Sequence, residues 1–211
     1  MNEFDLTRVA EKLERQRFVF ATRCMSAMYA RLFGRMKTEG CWKILVECVN
    51  QVEKKEFIDL LGVYKVQVQA NPDGLLALEP DELKRESIEV LMKGIKKVAL
   101  QNDWELQPFE TAYQAVKKLN FTNQWIWRRP LSSPSRKHRA EVLVEHEVDE
   151  VLISLVIRDK AGDEVKRKQL LTEKPDEWFY AQHLGKLKWL SKDKVALYNK
   201  KMDKHWCAEV V

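Results

Sequence analysis

The sequence predicts an α+β protein, with a helix-rich amino-terminal half packed on a mostly antiparallel sheet and a β-meander forming the carboxyl-terminal half. Three observations carry this expectation. Apolar residues recur at helical spacing up to about residue 120, and short extended runs dominate after it. The joints between those runs are shorter than the dozen or so residues that a parallel return needs.

The first helix is expected from Asp5 to Met36. Leu6, Val9, Leu13, Phe20, Cys24 and Ala27 follow the 3.6-residue period, and a second stripe joins through Phe18, Ala21, Met25, Tyr29, Leu32 and Met36. So much apolar girth needs cover from the sheet and another helix, or a homodimer seam along Phe18–Met36. Gly34 and Gly40 stop the helix. Trp42–Val49 reads as a strand, and Phe57–Gln69 as a second extended run with Tyr64, Val66 and Val68 on one face. Asn71-Pro72-Asp73-Gly74 reads as a turn. Pro80 opens a helix with the stripe Leu83, Ile88, Leu91, Ile95 and Val98. Another begins near Pro108 and ends at Asn120.

Beyond Phe121 the strand candidates are 121–129, 138–147, 151–158, 164–171, 177–182, 186–190 and 194–199. The connection Asp159-Lys160-Ala161-Gly162-Asp163 has the length and glycine of a hairpin loop. The linker-like Pro130–Ser135 falls inside the β half, so a single domain over 1–211 with one continuous sheet is expected. Within it, residues 1–120 are helix-rich, 121–199 antiparallel, and 200–211 a mobile tail.

At 211 residues the chain is long enough to bury a core without disulfides or metal, and its 45% hydrophobic content excludes a wholly disordered chain. The start is acidic, with no apolar leader. The most apolar window, Val151–Ile157, is far below the ~20 residues of a membrane span, so a cytoplasmic protein with no membrane partner is expected. Cys24, Cys41, Cys48 and Cys207 contain no CxxC pair and read as free thiols in a reducing compartment.

Most catalytic signatures are missing from the sequence. No GxxxxGK, GxGxxG, GxSxG or HExxH occurs, and the four histidines are scattered. No cofactor, metal or catalytic residue is therefore assigned. His205 and Cys207 are close in sequence but fall in the expected tail. Glu141, Glu145 and Glu147 share one strand side, as a solvated face does; a divalent-metal site is the alternative. A metal-dependent nuclease needs two carboxylates and a lysine on adjacent strands. Pro72-Asp73 with Glu82-Leu83-Lys84, and Asp149 with Glu164-Val165-Lys166, match the spacing loosely.

Basic residues carry the stronger signal. Trp125 and Trp127 are followed by Arg128, Arg129, Arg136, Lys137 and Arg139, with no acidic residue between 128 and 139. A second cluster runs from Lys186 to Lys204. The tryptophans and arginines suit the anchors of a protein interface. They equally suit stacking on bases with neutralised phosphates, although a net charge of +5 is mild for a nucleic-acid binder. The preferred expectation is a non-enzymatic cytosolic protein that binds another protein, for example one neutralising a toxic enzyme as bacterial immunity proteins do. The alternatives are a nucleic-acid-binding module over 125–139 and a metal-dependent hydrolase or nuclease.

Overall fold

The structure, a computed structural model, describes residues 1–210. It is α+β, with five helices and eleven strands, and the chain divides into two compact units, Met1–Asn123 and Gln124–Val211. The expected single continuous sheet is replaced by three separate sheets. The expected segregation of helices from strands also fails, because the first unit builds a sheet of its own.

That unit opens with a strand where the sequence suggested helix. In β1 (Glu3–Arg8), Phe4 and Leu6 are each 1% exposed, and Asp5 and Thr7 on the other face are buried as well; parallel pairing with residues 43–48 wins over the helical spacing read from Leu6 onward. The helix α1 occupies Lys12–Phe33 and ends at Gly34 with φ +72°. Next come β2 (Lys43–Val49), β3 (Ile58–Leu60) and β4 (Val63–Gln69), in the order β1-β2-β4-β3. Strands β1, β2 and β4 run parallel, with α1 as the crossover between the first two; β3 is antiparallel to β4. The single extended run expected over Phe57–Gln69 is thus a hairpin, turned at Leu61 and Gly62 with φ of +55° and +87°.

The Asn71–Gly74 turn becomes the short helix α2 (Pro72–Leu76), because Asn71 Oδ1 accepts from the backbone N–H groups of Asp73 and Gly74. Helices α3 (Pro80–Gln101) and α4 (Gln107–Lys118) follow. Phe4 meets Tyr29 and Phe33 edge-on, and Phe33 stacks on Phe109, which ties α1 and α4 to the sheet. Phe18, Cys24, Met25, Met28 and Tyr29 of α1 are buried in the monomer, α1 packing on β1, α3 and α4. Asn123 closes the unit, donating to Cys24 O and accepting from Arg31.

The second unit begins with a four-stranded antiparallel meander: β5 (Gln124–Ser132), β6 (Arg139–His146), β7 (Val151–Arg158) and β8 (Glu164–Glu173). A second antiparallel sheet, ordered β11-β10-β9, comprises β9 (Lys186–Trp189), β10 (Lys194–Tyr198) and β11 (His205–Glu209). Val142, Val144, Ile153 and Leu155 from the first sheet share one core with Trp189, Val195, Leu197 and Ala208 from the second.

Two expectations need correction here. Residues 177–182 are not a strand: Asp176 accepts from the Trp178 backbone N–H and starts the helix α5 (Glu177–Tyr180). The expected mobile tail contains β11, five residues too short to show a period, held through the register Leu197↔Trp206 and Val195↔Ala208. Among the described residues, no helix is long and apolar enough to cross a membrane.

Candidate basic docking surface

The basic segment is shaped by a break in the β5–β6 ladder. Trp127 pairs with Val142 and Leu131 with Ala140, so three residues of β5 face one of β6. Arg128, Arg129 and Pro130 are pushed out of register, as a bulge requires. Arg128 stands at φ +62°, a conformation unfavourable for a side chain with a β-carbon. Its guanidinium sits 4.5 Å from the centre of the Trp127 ring. Leu131 O, just past the bulge, accepts from the Trp189 indole at 2.9 Å.

The connection to β6 is tied by its own hydrogen bonds. Ser133 is 2% exposed; its N–H donates to His138 O at 2.8 Å, and its hydroxyl accepts from the His138 N–H at 3.2 Å. Arg136 N–H donates to Ser133 O at 2.9 Å, and the hydroxyls of Ser133 and Ser135 lie 3.1 Å apart. The loop thereby holds Arg136 at φ +55°. Serines placed to bond nearby backbone fix a turn without help from the core.

Arg128, Arg129, Arg136, Lys137 and Arg139 are all exposed, and among the described residues none lies within ion-pair distance of a carboxylate. Neighbouring cations differ. Arg158, opposite Arg139 in the ladder, bonds Glu141 at 3.1 Å, and Arg167 makes two bonds to Glu164 that hold that carboxyl below its ordinary range. In the second basic cluster, Lys194 pairs with Glu209 at 2.9 Å and Lys192 with Asp193 at 3.7 Å. The unit holds 18 Lys+Arg against 14 Asp+Glu, and the loop at 128–139 gathers cations without matching acids.

Trp125 and Trp127 do not share the cations' exposure. Both are half-buried and pack against the core of the second unit, with Arg128 lying over the Trp127 ring. The side chains that shape the loop, Ser133 and Trp189, escaped the sequence reading. Ser133 looked like one of several loop serines, and the 58-residue separation of Trp189 from Leu131 leaves no local signal.

The other constellations fall apart in space. Asp73 lies in α2 and pairs with Arg8 at 2.6 Å, while Glu82 and Lys84 lie on α3, so the first nuclease-like set is not on adjacent strands. Asp149 precedes the eight-residue strand β7, while Glu164 of β8 pairs with Arg158 at the far end of that strand, a separation of roughly 20 Å or more. Glu141 is taken by Arg158. His205 and Cys207 are two positions apart on β11, about 7 Å along the strand, and the His205 ring lies 5.0 Å from that of Tyr198. Among the described residues, no group of three or more His, Cys, Asp or Glu side chains is placed to hold a metal ion. Compared with protein-family models, with curated proteins and with solved structures, the chain finds no match in any of the three.

Proposed function

We propose that the 128–139 hairpin of the second unit docks an acidic face of another protein, and that this chain works by recognition rather than catalysis. One observation carries the reading: five cations without carboxylate partners stand on a loop that its own hydrogen bonds hold in shape. A pre-shaped loop loses less conformational freedom on binding, and unpaired charge steers an oppositely charged partner. The four free cysteines support a reducing compartment, the cytoplasm, as the place of action.

Nucleic acid is the second reading, since the same cations suit phosphates. The inward packing of Trp125 and Trp127 favours the protein partner, because single-strand binders stack bases on accessible rings.

Fluorescence anisotropy with labelled polyglutamate, single-stranded DNA and duplex DNA tests both readings. The acidic polypeptide should bind, with affinity falling as salt rises, and R128E/R129E/R136E should abolish binding while leaving Tm within a few degrees. Unchanged binding by that triple variant rejects the surface. Binding of DNA alone, with a log–log salt slope near −0.7 to −0.9 per phosphate contacted, replaces the first reading by the second.

A further inference from the structure

We propose that a cleft in the first unit, between α2 and the amino-terminal half of α3, binds a short peptide of about three residues by its two charged ends. The cleft is open to solvent and offers about 540 Å³, within the volume range of small-molecule sites. It opens where β4 ends, on the side of the sheet where the parallel strands β1 and β2 also finish; open α/β sheets take their ligands outside the carboxyl ends of such strands.

Its walls are fixed. Asn71 caps α2, Asp73 of α2 is tied to Arg8 of β1 at 2.6 Å, and Lys97 of α3 donates to Gln67 O of β4 at 3.1 Å. Leu75, Leu78 and Val90 supply apolar lining. Glu82 and Glu86, one turn apart on α3, place two carboxylates at one end, and Lys93 lines the cleft two turns further on. Among the described residues, none of these three has an opposite charge within ion-pair distance. Arg85, on the same rim, is held over the Phe121 ring at 5.8 Å.

The spacing selects the ligand. Seven residues of helix from Glu86 to Lys93 rise about 10 Å, and three residues of extended chain span about 10–11 Å. A free tripeptide can therefore present its ammonium to Glu82 and Glu86 and its carboxylate to Lys93, with apolar side chains on the leucines and Val90. Single amino acids are too short to reach both ends.

Calorimetric titration of the full chain with Leu-Ala-Leu, its N-acetyl form, its C-terminal amide and free leucine tests this. The free tripeptide should bind best. Acetylation should weaken binding about threefold to fivefold in the native chain, as loss of an exposed ion pair does, and have no further effect in E82Q/E86Q. Amidation should weaken it similarly, with no further effect in K93M. The substituted side chains are all exposed, and an unchanged Tm verifies folding. Absence of binding at millimolar tripeptide, equal binding of capped and free forms, or leucine binding as tightly as the tripeptide would each overturn the proposal.

Discussion

Gly94 of α3 is pressed onto Val46 of β2: a β-carbon at 94 would stand 2.3 Å from one Val46 methyl and 2.7 Å from the other. This contact sets how closely the helix approaches the sheet. Alanine at 94 gains about 1 kcal/mol of helix propensity, but overpacking a rigid core costs roughly 1–3 kcal/mol, so the clash decides. G94A should lower the urea midpoint. Adding V46A should restore part of the loss, a coupling that a double-mutant cycle reads directly.

Leu61 bears the opposite error. It sits at φ +55° and is 98% exposed, so it carries the conformational cost of the left-handed region without burying anything. That cost is about 1 kcal/mol, and asparagine tolerates the same geometry at a two-residue hairpin turn. L61N should raise the urea midpoint by an amount of that order or less; a fall would mean that the leucine is packed in solution.

Trp189 reaches from β9 to Leu131 O and braces the bulge that displays Arg128 and Arg129. W189F should cost about 0.5–1.5 kcal/mol for the lost hydrogen bond. Its more specific effect is on the loop: amide exchange from Arg128 to His138 should quicken, and the affinity for polyglutamate should fall while every cation remains. Unaltered exchange would show that the serine-bonded loop keeps its shape alone.

Burial and a hydrogen bond to Glu89 push the Tyr113 hydroxyl up to about 12. The folded chain then keeps a proton that the unfolded chain releases near pH 10. This contribution is complete below pH 10 and is lost as pH rises through 12. Cys48, also pushed up to about 12 by burial, acts with the same sign from its ordinary value of 9.0. Urea midpoints should therefore decline above pH 9, and Y113F should flatten the part between 10 and 12. An identical slope in Y113F would assign the alkaline loss elsewhere.

The last strand gives a simple test of a corrected reading. A chain ending at Lys204 loses β11 and uncovers one side of β10, where Val195 and Leu197 are buried. It should unfold at markedly lower urea, whereas removal of a mobile tail would leave the midpoint unmoved.

Much of the local structure is legible because its signals are local. The stripe Leu83, Ile88, Leu91, Ile95 and Val98 marks α3 from its period alone, and the Gly162 loop marks the β7–β8 hairpin. Where local signals compete, the reading fails. Leu6 fits a helix until the parallel register with Val46 claims it, and Asp176 turns an apolar-looking run into α5 by capping it. The basic segment is visible as a charge run, but its bulge, its inward tryptophans and the Trp189 brace depend on partners distant in sequence.

Taken by itself, the chain's order of residues determined an α+β composition, most helix positions, the antiparallel character of the later strands and the run of cations at 128–139. Tertiary structure alone decided that there are three sheets instead of one, that the first is largely parallel, and that the cations of the loop stay unpaired while Arg158 and Arg167 are neutralised. The reason is physical: periodicity records which faces of an element are buried, whereas strand order and ion pairing depend on which distant residues arrive beside them.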